Sequence, residues 1–149
     1  ANGGYYMVAG LATNQTITNT GITIPMTDKD DPNNWWDASN YRFQPTVAGY
    51  YFVSASVHFA FTTTSANGIQ CNMQILKNGA VQAINQILAE QPVVYLNLTR
   101  TQTATTLVYM NGTTDYISLT GYTNNALSAV TITGDGDRVW TKMEAFKLN

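Results

Sequence analysis

The sequence predicts an all-β fold, either a β-sandwich or a jelly roll built from short antiparallel strands. Short runs rich in β-branched and aromatic residues alternate with turn signals such as "NTG" at 19–21, "NGTTD" at 111–115 and "GDGD" at 134–137. The nearest approach to helical spacing, at residues 79–92, follows the turn signal "KNG" and has strand-like neighbours. We therefore interpret 81–88 as a strand or an irregular connection.

The chain of 149 residues is long enough for one domain with a sizeable core. It contains no internal repeat and no linker-like tract, so we expect a single domain over residues 1–149, with 1–19 as a lead-in strand region. The first residues, "ANGGYYM", include neither an initiator methionine nor a signal-peptide core, which suggests a fragment or a processed chain.

Composition excludes several functional classes. Charged residues make up 11% of the chain, against about 25% in typical globular proteins. Threonine and asparagine replace them, which is typical of extracellular or virion β-proteins rather than cytosolic enzymes. With a net charge of −2 and no basic cluster, nucleic-acid binding through phosphate attraction is not expected. No segment reaches the ~18 consecutive apolar residues of a membrane span.

Cys71 is the single cysteine, which excludes an intrachain disulfide and a multi-cysteine zinc site. It alternates with Ile69, Met73 and Ile75, as expected for one face of a strand. We therefore predict that Cys71 is a small buried hydrophobic residue rather than a reactive thiol.

The longest predicted strand lies within "FQPTVAGYYFVSASVHFAF" at residues 43–61. From Tyr51 its odd positions are all apolar or aromatic and are expected to face the core. The even row, however, begins with Tyr50 and Phe52, and burial of each would contribute roughly 1.5–3 kcal/mol. These two side chains are covered either by a second core layer or loop, or by another copy of the chain.

The stretches "LVYM" at 107–110 and "YISLTGY" at 116–122 also carry large apolar residues at both odd and even positions. This pattern favours an aromatic-rich surface between subunits. The residues that we predict at this interface are Tyr50, Phe52, His58, Tyr109 and Tyr116.

A spaced set of residues makes the fold prediction more specific: Asp31, Trp36, Phe43, Gly49 and Tyr51. Four, six and five residues separate the first four, and the last two belong to a Gly-x-Tyr strand. In this order and spacing, the sequence resembles the complement C1q-like branch of the tumour-necrosis-factor jelly-roll superfamily. The similarity extends over roughly residues 20–148.

Later segments add to the resemblance. "NGTTDYISL" is similar to the family's Gly-Asp-bearing hairpin, with Asp115 in the acidic place, and "MEAFKL" resembles its closing strand. Three positions depart from the family pattern by losing an aromatic residue: Pro25, Val53 and Ala55. The segment "FQPTVAGYYFVSA" is more similar to phage and bacterial members of this family than to animal ones.

The resemblance implies a jelly roll of about ten strands that closes as a compact homotrimer. It also implies that strands with two apolar faces line the threefold contacts. Some members of the family bind calcium near the trimer apex, so Asp135 and Asp137 in "GDGDR" are either calcium ligands or part of an ordinary polar turn. No other cofactor is expected.

Enzymatic chemistry is not expected. His58, the only histidine, is the one ordinary general base near neutral pH, and its place on the even row favours a hydrogen-bonded or interface residue. The sequence contains no H-E-x-x-H pattern and no glycine-rich phosphate loop. The acidic residues lie mostly in turns rather than as the facing pair that glycoside hydrolysis needs.

Trp35 lies beside the spaced Trp36 in a polar segment. It is either a core residue or a surface residue that stacks on a sugar, since aromatic faces pack against the apolar side of sugar rings.

The leading functional hypothesis is a non-enzymatic trimeric module on the virion exterior: a phage fibre or spike head, or a capsid decoration. Its partners would be a host-surface glycan or protein receptor and other virion proteins. The alternative is a secreted or bacterial surface domain of the same fold that acts in adhesion or trimerisation. Both hypotheses depend on the resemblance, because a fold does not determine a function.

Overall fold

A computed structural model describes residues 4–61, 69–89, 98–124 and 130–148. Over these residues the chain is all-β and contains no helix. Antiparallel strands form two sheets, each with one buried face, as in a β-sandwich. The strands are β1 Tyr6–Gly10, β2 Gln15–Ile17, β3 Ile22–Thr23, β4 Thr27–Asp30, β5 Trp36–Asp37, β6 Arg42–Phe43, β7 Gly49–Phe61, β8 Ile69–Lys77, β9 Ala80–Ala89, β10 Leu98–Met110, β11 Ile117–Thr123, β12 Val130–Ile132 and β13 Lys142–Lys147.

The first sheet is built around β7. One side of β7 pairs with β10 along its whole length, and the other side pairs first with β13 and then with β12. On its far side, β13 pairs with β1, which pairs in turn with β4; on its far side, β12 pairs with β2. Both strands of the lead-in region, β1 and β2, belong to this sheet.

The second sheet has the order β5-β6-β11-β8-β9, with β3 also paired to β11. Strands β8 and β9 form a hairpin whose turn residues Asn78 and Gly79 have φ of 51° and 82°. Positive φ at both central positions is the signature of a type I′ turn, for which Asn-Gly is favoured. The predicted turn at "KNG" is confirmed, and residues 81–88 form a strand rather than an irregular connection.

The core lies between the two sheets and is filled by alternate residues of their strands. From Tyr51 to Phe61, every odd position of β7 is buried, as the period-2 pattern predicted. In β8, Cys71 is fully buried between Ile69 and Met73, so the prediction of a buried cysteine is confirmed. Burial raises the pKa of the Cys71 thiol to about 12.

The spaced residues of the sequence pattern come together in space. Trp36 and Phe43 are cross-strand partners in β5 and β6, and the Phe43 ring lies 5.6 Å from the Tyr51 ring. The backbone N–H of Trp36 donates to Asp31 Oδ2 at 2.7 Å, and the Tyr51 hydroxyl donates to the Val47 carbonyl at 2.9 Å. The spacing therefore corresponds to one packed aromatic unit at the entry to β7.

Gly49 begins β7 with a φ of 149°, outside the range that other residues readily adopt. A Cβ atom at this position would lie 2.6 Å from Lys147 Cε of the neighbouring β13. The backbone angle therefore favours glycine at this motif position, whereas the flexible Lys147 side chain could move to make room for a Cβ atom.

Candidate interaction surfaces

Large apolar side chains lie together on the outer face of the first sheet. They come from β7, from β10 and from β13 with the residue that follows it. Every member is at least 39% exposed except Phe52, which is half-buried. We call this surface the aromatic face; its residues are Tyr50, Phe52, Leu107, Tyr109, Phe146 and Leu148.

The strand register explains why these residues meet. Tyr109 of β10 is directly opposite Tyr50 of β7, and Leu107 is opposite Phe52. On the other side of β7, Phe146 of β13 is also opposite Phe52. Directly opposite side chains on one face of an antiparallel pair are close enough to pack, so the register alone makes a continuous apolar surface.

Two pairs of rings on the aromatic face contact each other. The Tyr50 and Tyr109 rings are 5.4 Å apart at an angle of 70°, and the Phe52 and Phe146 rings are 5.4 Å apart at 40°. Such tilted and edge-on geometries are favourable for aromatic pairs. The rings therefore hold one another in place while their outer surfaces remain exposed, with Tyr50 56% exposed.

Three of the five predicted interface residues, Tyr50, Phe52 and Tyr109, lie together on the aromatic face. Tyr116 does not. It lies just before β11 in the second sheet, and the Arg42 guanidinium stacks 4.4 Å above its ring. Tyr116 is therefore not part of the aromatic face, because it precedes β11 in the opposite layer of the sandwich, and its place at a subunit interface stays a prediction.

His58 is on the same even row of β7, but at the other end of the strand. Its Nδ1 is 2.9 Å from the Thr101 hydroxyl, and its ring centroid is 4.6 Å from that of Trp140. The predicted hydrogen-bonded histidine is therefore present. Partial burial lowers the pKa of His58. Between His58 and the aromatic face, the outward residues are hydroxyl-bearing, such as Ser56 and Thr103.

Phe146 and Leu148 are two surface residues that were not predicted from the sequence. The alternating pattern of "MEAFKL" could have predicted them: Met143 and Ala145 are buried, whereas Phe146 and Leu148 are exposed. Alternation in β13 places Phe146 on the solvent-exposed face of the sheet, as alternation in β7 places Tyr50.

Trp35 is a core residue. It is only 4% exposed, its Nε1 donates to the Thr46 hydroxyl at 2.9 Å, and the Tyr5 ring stacks on it at a centroid distance of 5.6 Å. Since Tyr5 already occupies one face of the indole, the structure favours the core alternative. The assignment of Trp35 as a sugar-stacking ligand residue is therefore corrected.

The turn with Asp135 and Asp137 is held by hydrogen bonds within the chain. Asp135 Oδ1 accepts from the backbone N–H of Val139 at 2.9 Å, and the Asp137 carbonyl accepts from Lys29 Nζ at 2.7 Å. In the part of the chain that the structure describes, no group of three or more His, Cys, Asp or Glu side chains could hold a metal ion. Calcium binding here remains a hypothesis, and the geometry accounts for Asp135 as a turn residue.

No family model matches the chain, and no curated protein matches its sequence. Among the described residues, no helix is long and apolar enough to cross a bilayer.

Proposed function

We propose that the chain is a non-enzymatic jelly-roll head that assembles as a homotrimer on the exterior of a virus particle. There it acts in attachment to the host or in stabilising the particle. The observation that carries this proposal is the aromatic face: five of its six side chains are 39–56% exposed in the single chain. Contiguous exposed apolar surface of this kind marks interaction sites.

The pairing of strands supports a jelly roll. Antiparallel pairs are nested along the chain: β8 with β9, then β7 with β10, β6 with β11, and β1 with β13. Successive pairs alternate between the second sheet and the first. A long antiparallel ribbon that wraps around a core in this way gives a jelly roll of two Greek keys.

Threefold symmetry places a specific demand on the interface. In a cyclic trimer each contact joins two different surfaces, one from each neighbour, rather than one surface to itself. The aromatic face therefore needs an apolar counterpart elsewhere on the molecule. Val81 and Ile84 on β9, at the edge of the second sheet, are 50% and 53% exposed and are suited to that role.

The composition supports a position on a particle exterior. The surface is polar but carries few charges, so its interactions change little with ionic strength. A trimer would also present three copies of any weak binding site on one rigid body. Simultaneous binding at several sites raises the overall affinity for a surface without new contacts.

The mass in solution tests the assembly. Light scattering is expected to give three times the chain mass of 16.3 kDa for the wild type. Phe52→Asp and Phe146→Asp each place a charge among the packed rings of the aromatic face, and each is expected to give a folded monomer. Circular dichroism checks that the variants keep their β structure.

Tyr41→Asp is the matched control. Tyr41 is a 37% exposed aromatic residue in the turn between β5 and β6, away from the aromatic face. Its φ of 53° is an angle that aspartate tolerates well. This variant is expected to remain trimeric. A monomeric wild type, or folded Phe52→Asp and Phe146→Asp variants with the wild-type mass, would contradict the proposed assembly.

A further inference from the structure

The outer face of the second sheet carries a groove of about 540 Å³. This volume lies within the roughly 300–1,000 Å³ typical of small-molecule sites. Outward residues of β8 and β11 form its floor, and residues 20–23 form one side. Its polar and aromatic lining includes Thr20, Thr23, Asn72, Gln74, Thr120 and Tyr122.

The groove is lined by hydrogen-bonding groups without charges. Gln74 and Thr120 are opposite each other across β8 and β11, and Thr23 is opposite Thr120 across β3 and β11. As far as the described residues extend, the side chains of these three make no hydrogen bond within the chain. Their amide and hydroxyl groups are therefore free to bind a ligand, and Tyr122 adds a half-buried aromatic ring beside them.

A second pocket of about 310 Å³ continues this groove and shares Thr23, Leu76 and Thr120 with it. It brings in Arg42, whose Nε donates to Asp37 Oδ2 at 3.1 Å while its guanidinium stacks on the Tyr116 ring. Among the described residues that line the two pockets, Arg42 is the one with a charge, and Asp37 neutralises it. The combined groove therefore offers oriented donors with little net charge.

We propose that this groove binds a neutral oligosaccharide. Uncharged amides and hydroxyls suit the many hydroxyl groups of a sugar, and tyrosine rings suit its apolar faces. A phosphate ligand or an acidic peptide would instead need unpaired cations, and Arg42 is already paired with Asp37. The inference rests on the proposed attachment function and specifies its ligand class.

The position of the groove fits a trimer. It lies on the second sheet, whereas the aromatic face lies on the first, so the two occupy opposite sides of the sandwich. A neighbour's aromatic face that covers Val81 and Ile84 would lie at the β9 edge, beside Leu76 and Gln74, and would leave open the side of each groove that β11 and residues 20–23 form. Each groove could then bind weakly, while the trimer binds a glycan-covered surface with higher overall affinity.

The test is titration of the purified protein with neutral hexose and N-acetylhexosamine oligosaccharides, followed by NMR or calorimetry. Matched oligosaccharides containing uronic acid form a second arm. Gln74→Ala and Thr120→Val each remove one free polar group, and each is expected to weaken neutral-sugar binding roughly tenfold. Stability should be unchanged, because neither side chain hydrogen-bonds within the described chain.

Thr16→Val is the matched control for Thr120→Val. Thr16 is exposed on β2 of the first sheet and lies outside the groove, so this variant should bind like the wild type. No binding to the neutral panel, binding to the uronic-acid arm alone, or unchanged affinity in both groove variants would overturn the proposal.

The Phe52→Asp monomer separates this inference from the proposed assembly. In solution it should bind the neutral oligosaccharide with the wild-type affinity per site, and on a glycan-coated surface it should bind more weakly. A wild-type trimer that binds no neutral sugar would refute the groove alone. A wild-type monomer whose binding still depends on Gln74 would refute the assembly alone.

Discussion

Tyr50 and Tyr51 show how far one position along a strand changes the environment of a side chain. Tyr51 is fully buried, and burial raises the pKa of its hydroxyl to about 12, whereas Tyr50 is 56% exposed. Alternation predicted this difference from the sequence alone. Alternation could not assign Trp35 and Trp36, which are adjacent and both buried, because Trp35 precedes β5 and follows Asn34 at a positive φ.

Cys71 allows a direct test at the scale of one residue. Its thiol is buried and its raised pKa keeps it protonated at neutral pH, so a thiolate-selective reagent has neither access nor a nucleophile. We expect no labelling of the native protein at pH 8 and complete labelling in guanidinium chloride, measured by mass spectrometry. A Cys71→Ala, Thr16→Cys variant supplies an exposed thiol that should react without denaturant. Rapid native labelling of Cys71 would contradict the described core.

At the scale of elements, two turns are joined by one carboxylate. In the turn at 111–115, Asn111 Oδ1 accepts from three backbone N–H groups, which folds the turn locally. Asp115 then accepts from Asn78 Nδ2 at 2.8 Å and from Lys77 Nζ at 2.9 Å, both at the β8–β9 turn. Both turns were predicted from their residues; their contact was not, because the two segments are far apart in sequence.

Asp115→Ala is expected to reduce the free energy of unfolding by about 1–3 kcal/mol, since it removes a charged acceptor that bonds Asn78 Nδ2 and pairs with Lys77, whose Nζ keeps only the Tyr109 carbonyl among the described acceptors. Urea unfolding at pH 7 measures this loss. Asp28→Ala, at an exposed position of β4, should change stability by less than about 0.5 kcal/mol. An equal effect of the two substitutions would show that the link between the turns contributes nothing.

The same carboxylate gives a pH dependence. Hydrogen bonds from Asn78 and Lys77 lower the pKa of Asp115 below its ordinary value. The folded state thus binds fewer protons than the unfolded state in this range, and the stabilisation by Asp115 is complete above the unfolded pKa. It is lost as pH falls through the lowered folded pKa. The difference in stability between wild type and Asp115→Ala should therefore shrink from pH 7 to pH 3.

At the scale of the whole molecule, the sequence predicted the sandwich, one of its two longest described strands and half of the residues of the aromatic face. It could not predict that β13 and β12 share one side of β7, because pairing between distant strands depends on the complete topology. For the same reason it missed the groove, which exists only where β3, β11 and β8 lie side by side.

Assembly should contribute to the stability of the chain. If the native state is a trimer and the unfolded chain is a monomer, mass action makes the melting temperature rise with protein concentration. We expect this rise for the wild type and for Tyr41→Asp, measured by circular dichroism over about a hundredfold range of concentration, and none for Phe52→Asp. A trimer whose melting temperature is the same at every concentration would show that the interface does not stabilise the fold.

The nested strand pairs also limit how early the aromatic face can form while the chain is being synthesised. One side of β1 and half of one side of β7 have no partner until β13, the last of the strands that the structure describes, has been synthesised; the other side of β1 pairs with β4. Phe146 and Leu148 arrive with it, so the aromatic face is incomplete until then. If copies of the chain assemble through the aromatic face, as we propose, nascent copies on one messenger RNA cannot join through the complete face before β13 has been made.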